Sequence, residues 1–184
     1  PNGTEHIVTF LACLKAGVNH VPINRGFPDD MKRRILTTLD ADIIMAPKND
    51  AASLSKAVQI DIPTRADIPP LGHPAFTPAC VDDQQFAGTA CTSGSTGTPK
   101  LVPVTREALA SYVRFFGEQI SVTSDDVLGH GGNLWFEEFG VYLSVGATIT
   151  CFEPLDGSLR ERMDWLEAEG VTAIMTYPAL FRSM

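Results

Sequence analysis

Residues Thr92-Ser93-Gly94-Ser95-Thr96-Gly97-Thr98-Pro99-Lys100 crowd five hydroxyls, two glycines and one cation into nine positions. Phe86-Ala87-Gly88-Thr89-Ala90-Cys91 runs apolar before them and Leu101-Val102-Pro103-Val104 after. The pattern predicts a strand, a tight hydroxyl-rich loop and a second strand. Glycine lets a backbone approach a ligand closely and adopt positive φ, and successive N–H groups then converge into an anion-binding concavity. Ser93, Ser95, Thr96 and Thr98 can each donate a hydroxyl hydrogen bond, and Lys100 adds a full positive charge suited to a phosphate oxygen. Hydrogen bonds to charged groups contribute roughly 1.5–3 kcal/mol each, so a few hold a polyphosphate.

Two rival readings of the loop fit less well. A flexible Gly/Ser/Thr linker rarely sits between strand-like runs or ends in Pro-Lys followed by Leu-Val. A Walker-type phosphate loop needs Gly, four residues, then Gly-Lys-Ser/Thr. Counting from Gly94, Pro99 stands where the second glycine belongs and Leu101 where the magnesium-binding hydroxyl belongs.

Elsewhere helical and strand patterns alternate. The predicted fold class is α/β, with a mostly parallel sheet covered by helices on both faces. A first helix is expected from Glu5 to Ala16, capped by Thr4 or Asn2 and ended by Gly17. Val21-Pro22-Ile23 reads as the first strand. A second helix covers Asp29 to Leu39, with Met31, Ile35 and Leu39 every four positions. Asp42-Ile43-Ile44-Met45-Ala46 reads as a buried strand, Ala51 to Ala57 as a weak helix, and the proline-rich stretch Pro63 to Pro78 as a connecting loop.

After the hydroxyl-rich loop, Thr105 caps a helix reaching Gln119, with Leu109, Tyr112, Val113 and Phe116 on one side. Val127 to Gly129 is a strand, Phe136 to Leu143 a helix, and Ala147 to Phe152 a strand. Ser158-Leu159-Arg160-Glu161 is a capping box. Its helix turns Leu159, Met163 and Leu166 inward and stops at Gly170, and Val171 to Met175 closes the sheet. Met163 and Met175 read as ordinary core residues.

The 184 residues suffice for one compact domain. A net charge of −8 argues against nucleic acid and anionic membrane surfaces as partners. It also means that a bound polyphosphate needs local cations, and Lys100 and Arg106 lie close in sequence. The apolar run Ile7 to Leu14 is too short to span a bilayer and lacks the flanks of a signal peptide. Cysteines 13, 80, 91 and 151 show no metal-ligand spacing. Cys13, Cys91 and Cys151 sit in apolar runs and read as reduced core thiols, which suggests a cytoplasmic setting.

Thr92 to Lys100 resembles the signature of adenylate-forming enzymes: acyl-CoA synthetases, aryl acid ligases, luciferases and nonribosomal peptide synthetase adenylation domains. The resemblance extends along most of the chain. Leu11-Ala12-Cys13-Leu14-Lys15-Ala16-Gly17 and His20-Val21-Pro22-Ile23-Asn24 are similar to an upstream helix–strand motif, most like that of peptide synthetase modules. Asp82-Asp83-Gln84-Gln85-Phe86-Ala87 resembles the acidic lead-in to the loop, and Gly146-Ala147-Thr148, Gly170-Val171-Thr172 and Tyr177-Pro178 resemble later landmarks.

The resemblance implies attack of a carboxylate on the α-phosphate of ATP, giving an acyl-adenylate and pyrophosphate. A thiol of CoA or of a carrier protein's phosphopantetheine then takes the acyl group. It implies that Thr92, Ser93, Ser95, Thr96 and Lys100 contact the β and γ phosphates, Lys100 as the catalytic cation. Gly94 and Gly97 supply the tight backbone, and Thr98 completes the nucleotide-binding set. Mg2+ is expected alongside ATP, its ligand outside this chain, because the family's Tyr-Gly-x-Thr-Glu sequence does not occur here. Thr-Gly-Asp and the smaller C-terminal domain with its lysine are likewise missing. The chain therefore reads as an internal piece of the large N-terminal domain, inactive alone. The competing reading is a non-catalytic remnant that binds nucleotide or a carrier protein.

Gly129-His130-Gly131-Gly132-Asn133-Leu134-Trp135-Phe136 has the make-up of a pocket rim. In amino-acid-activating members an Asp here pairs with the substrate's ammonium. An ungapped count back from Gly146-Ala147 puts Asn133 at that position, and a neutral amide does not balance an ammonium. Aryl-acid-activating members carry an adjacent His-Asn pair, whereas His130 and Asn133 are separated by two glycines. The expectation is a substrate acid without an α-amino group, with His130 and Asn133 contacting it. A four-residue gap puts Glu137 there instead and readmits an amino acid. His130 also reads as a plain core histidine, and Glu137 and Glu138 as acids suited to a helix start.

Overall fold

The computed structural model describes residues 3–24, 26–46, 58–61, 76–92, 99–130, 136–152 and 157–175. In chain order the elements are α1 (Thr4–Ala16), α2 (Asp29–Leu39), β1 (Ile43–Ala46), β2 (Val58–Asp61), β3 (Phe86–Thr92) and β4 (Lys100–Thr105). They continue as α3 (Arg106–Ile120), β5 (Val127–His130), α4 (Phe136–Ser144), β6 (Thr148–Cys151), α5 (Leu159–Ala168) and β7 (Ala173–Ile174). The class is α/β, as the alternating pattern predicts. Among the described residues the strands form three small sheets: a parallel β1–β2 pair, an antiparallel β3–β4 hairpin, and a parallel trio ordered β6-β5-β7.

Local chemistry sets most boundaries. α1 ends at Gly17, whose φ of 72° is one that other residues rarely adopt. Its start differs from expectation: Gly3 is the N-cap with no side-chain cap, Thr4 is already helical, and Asn2 lies outside the described residues. Thr105 caps α3 by accepting from the Ala108 N–H at 3.1 Å. Ser158 and Glu161 form the reciprocal capping box of α5. Hydrogen bonds from the Ser158 side chain and then its backbone hold the Glu161 carboxyl below its ordinary range.

The core has two linked parts. Ile7 and Phe10 of α1, Ala87 of β3, Leu109 of α3 and Phe139 of α4 form one, with Val104, Ile149 and Cys151 packed against it. Leu128 of β5, Val141 and Tyr142 of α4 and Ala147 form the other. Gly129 lets α5 lie close over β5, since a Cβ there would meet Leu166 Cδ2 and Val171 Cγ1 at 2.9 Å. At the amino ends of β5 and β7, the Thr172 hydroxyl donates to Asp126 Oδ1 at 2.8 Å and accepts from the Val127 N–H at 3.0 Å.

Three expectations need correction. Val21-Pro22-Ile23 is not a strand: the pairing shrinks to one bridge, His20 with Gly88, because Pro22 has no N–H to extend a ladder. Ile43 to Ala46 is a strand but not a buried one. In-register pairing puts Ile43 and Met45 on one face with Val58 and Ile60, and that face is open, Ile43 at 55% and Val58 at 65% exposure. α5 is rotated from the expected line. Trp165 packs on Phe152 with ring centroids 5.3 Å apart and is half-buried there, while Leu159 and Met163 are exposed, Met163 at 43%. β2 was not legible as a strand. The expected helix from Ala51 to Ala57, and Pro63 to Pro78 except its last three residues, lie outside the described residues.

Candidate functional site

β3 and β4 are the expected strands on either side of the hydroxyl-rich loop. Their antiparallel register pairs Thr92 with Lys100, Cys91 with Leu101 and Ala90 with Val102. The closing pair is reinforced by the Thr92 hydroxyl, which donates to the Lys100 carbonyl at 3.5 Å. Ser93, Gly94, Ser95, Thr96, Gly97 and Thr98 lie outside the described residues. Lys100 is exposed at the hairpin's mouth and makes no ion pair among the described residues.

Arg106, the second nearby cation, is committed elsewhere. Its Nη2 donates to the Leu14 carbonyl at the end of α1, and its buried Nε has no hydrogen-bond partner among the described residues. The acidic lead-in is a turn that clasps α3. Gln84 N donates to Asp82 Oδ1 at 2.7 Å, Glu107 N to the Asp83 carbonyl at 3.0 Å, and Gln84 Nε2 to Glu107 Oε2 at 2.7 Å.

Sequence reading missed the residues behind the loop. Thr89, mid-way along β3, is buried, and its N–H donates to the His20 carbonyl at 2.8 Å. Its hydroxyl lies 3.0 Å from Asn19 Nδ2 and 3.1 Å from Asn19 Oδ1. The His20 ring stands edge-on to His6 and Phe10, centroids 5.2 and 5.6 Å away. Burial and then the nearby His6 push the His20 pKa down from 6.5 to about 4. The available signal was a threonine and an asparagine in otherwise apolar surroundings.

All four cysteines are free. Cys13 and Cys91 are half-buried, and burial pushes the Cys13 thiol up and the Cys91 thiol to about 11, so both stay protonated. Among the described residues no group of three His, Cys, Asp or Glu side chains is placed to hold a metal ion. Nor is any helix among them long and apolar enough to cross a membrane.

His130 is the last residue of β5 and only 4% exposed, paired with Cys151 of β6, and its carbonyl accepts from the Phe152 N–H at 2.7 Å. It thus stands at the carboxyl ends of parallel strands, where open α/β sheets bind ligands. Asn133 and its glycine neighbours lie outside the described residues, as does the Glu137 side chain. Glu138 sits in the first turn of α4, one residue before Phe139. Through Phe139, Ala87 and Cys151, the two halves of the expected site lean on one core.

The family model for AMP-binding enzymes matches residues 1–184. The chain belongs to the AMP-binding enzyme family. Similar proteins include nonribosomal peptide synthetase agiA of Aspergillus flavus, 33% identical over 122 residues that make up 60% of this chain and 2% of that protein. Non-ribosomal peptide synthetase CmlP of Streptomyces venezuelae is 26% identical over 96% of this chain and 19% of its own length.

Among solved AMP-binding folds, a malonyl-CoA ligase in a ternary product complex with methylmalonyl-CoA and AMP superimposes with a TM-score of 0.79. Its identity is 24%, over 98% of this chain and 39% of that one. The N-terminal subdomain of Klebsiella oxytoca NpsA with 3-hydroxybenzoyl-AMSN also gives 0.79, at 22% identity over 97% of this chain and 46% of that one. The chain spans under a fifth of the two peptide synthetases it matches.

Proposed function

We propose that this chain is the phosphate-binding portion of an ATP-dependent ligase. That ligase activates a carboxylic acid as acyl-AMP, releases pyrophosphate, and passes the acyl group to the thiol of a carrier protein or CoA. The observation that carries the reading is the β3–β4 hairpin, which presents an exposed Lys100, with no ion pair among the described residues, beside Thr92 at the mouth of a Ser/Thr/Gly loop. Membership of the AMP-binding family supports it. The hydroxyls and amides of residues 92–98 fit a triphosphate tail by their chemistry, and Lys100 stabilises charge developing on the pyrophosphate leaving group. Mg2+ supplies further charge neutralisation when bound, and its ligand is assigned to a part of the protein outside this chain.

Replacing Lys100 with Ala in the full-length protein removes one charge-assisted contact of roughly 1.5–3 kcal/mol. Carboxylate-dependent ATP–pyrophosphate exchange should then slow by about tenfold or more. Exchange at the wild-type rate sinks the role given to Lys100.

His130, at the carboxyl end of β5, and Asn133, which follows it in the sequence, are assigned to the substrate acid. A neutral Asn133 favours an acid without an α-amino group, such as an aryl, hydroxy or keto acid. Asn133→Asp should shift preference towards amino acids in a panel of carboxylic acids. An unchanged profile removes Asn133 from the pocket and favours Glu137. A carrier-protein acceptor is favoured over CoA because the similar proteins include peptide synthetases.

A further inference from the structure

The two strands that enter and leave the hydroxyl-rich loop are both tied to the carboxyl end of α1 and the residues just after it, and the ties are independent of each other. On the entering side, Asn19 and His20 follow directly from the α1 stop at Gly17. His20 makes the lone parallel bridge to Gly88 and accepts the Thr89 N–H at 2.8 Å, while the Asn19 amide lies against the Thr89 hydroxyl at 3.0 and 3.1 Å. On the leaving side, Arg106 immediately follows β4, and its guanidinium donates to the Leu14 carbonyl. The α1 terminus is itself rigid, with Val18 N bonded to the Cys13 carbonyl at 2.9 Å and Gly17 N to the Leu14 carbonyl at 3.4 Å.

An apolar core would hold these elements together without fixing where β3 sits along its own axis. Packing tolerates small slides, whereas a directional hydrogen bond to the buried Thr89 hydroxyl does not. Thr89 is three residues from Thr92 on a regular strand, so a slide at Thr89 is carried directly to the loop's first residue. The buried Thr89 hydroxyl costs desolvation, which the exposed Asn19 amide offsets only while the two stay in register.

We infer that the carboxyl end of α1 is the platform that sets the geometry of the phosphate loop, with Asn19 positioning β3 through Thr89 and Arg106 positioning β4 through Leu14. Neither residue touches nucleotide, and each acts through the strand it holds. The inference rests on the proposal that residues 92–100 bind triphosphate, and its test separates the two ideas.

The test uses the full-length protein and two readouts. Thr89→Val keeps the shape and removes the hydroxyl, Thr89→Ser keeps the hydroxyl, and the pair Asn19→Leu with Thr89→Val replaces both polar partners by apolar ones. The double change leaves no buried group unpaired, so its unfolding midpoint should return near the wild-type value. Amide exchange in residues 89–92 and 99–105 should quicken several-fold in Thr89→Val and in the double variant, while residues 127–130 of β5 keep their wild-type protection.

The KM for ATP should rise roughly threefold to tenfold in both, the scale of one net intramolecular hydrogen bond. The KM for the acid should hold, and Thr89→Ser should behave as wild type. Arg106→Met should loosen residues 99–105 in the same way. Unchanged exchange in residues 89–105 overturns the platform whatever the activity. A double variant that regains wild-type ATP KM along with stability reduces Asn19 and Thr89 to packing, and also overturns it. Quickened exchange with no effect of ATP on that segment's protection upholds the platform and overturns the phosphate role of the loop.

Discussion

Acidifying the folded chain from pH 7 to pH 4 is expected to remove about 3 kcal/mol of stability through His20 alone. Its ring ionises near 6.5 when unfolded and about 4 when folded, chiefly because burial disfavours the cation and secondarily because His6 stands beside it. Between those values the unfolded chain binds the extra proton, so stability falls as pH falls, and above 6.5 this term is fully present. The neighbouring groups give no relief: Phe10 packs on the ring, and His20 Nδ1 is buried with no hydrogen-bond partner among the described residues. Asp126 and Glu161 are held low by hydrogen bonds from Thr123 and Thr172 and from Ser158, and their losses come below their unfolded values of 3.8 and 4.5. The histidine window is therefore largely separate. Denaturant midpoints of wild type and His20→Phe across pH 4 to 7.5 measure it. The variant should lose most of the slope between pH 6.5 and 4. Parallel curves rule His20 out as the source.

Much of what depends on a few consecutive residues was legible in the sequence, the start of α1 and the Val21-Pro22-Ile23 strand excepted. The hairpin around the loop, the Thr105 cap, the Ser158 capping box and the Gly17 stop follow from local rules, and each stands where it was expected. Properties set by distant partners were not legible. Ile43 and Met45 make a strand because β-branched and unbranched apolar residues run together, but whether that strand is buried depends on what lies across it. Met163 fits a helical stripe, yet Trp165, two places on, wins the contact with Phe152.

The candidate site divides the same way. Lys100 and Thr92 are found by composition and register. The separation of Arg106 from that site is a contact across 92 positions, and the Asn19–Thr89 pair one across 70. Lys100 and Arg106 lie close in sequence, but Arg106 is bonded to the Leu14 carbonyl while Lys100 stands exposed at the other end of β4.

Replacing Phe139 with Ala is expected to cost about 3–5 kcal/mol, the range for deleting a fully buried phenyl ring. Phe139 is 0% exposed and meets Phe10 with centroids 5.3 Å apart at 70°, and His6 at 6.0 Å and 80°. Such edge-on pairs add about 0.5–1.5 kcal/mol beyond area burial. The ring sits where α1, β3, α3 and α4 converge, with Ile7, Ala87 and Leu109 as its buried neighbours. None of these elements can close the space alone, because β3 is fixed to His20 and β4 while α1 is held by Arg106. The cavity therefore stays open rather than collapsing, which places the expected loss towards the upper part of the range. For a fold whose total stability is of order 5–15 kcal/mol this is a large fraction. Phe139→Leu, which fills most of the volume, should lose far less. Denaturant melts of the full-length protein and the two variants decide it. An Ala loss below about 1 kcal/mol would mean that the four elements do not share one core, and the tie between the β3–β4 hairpin and the carboxyl end of β6 goes with it.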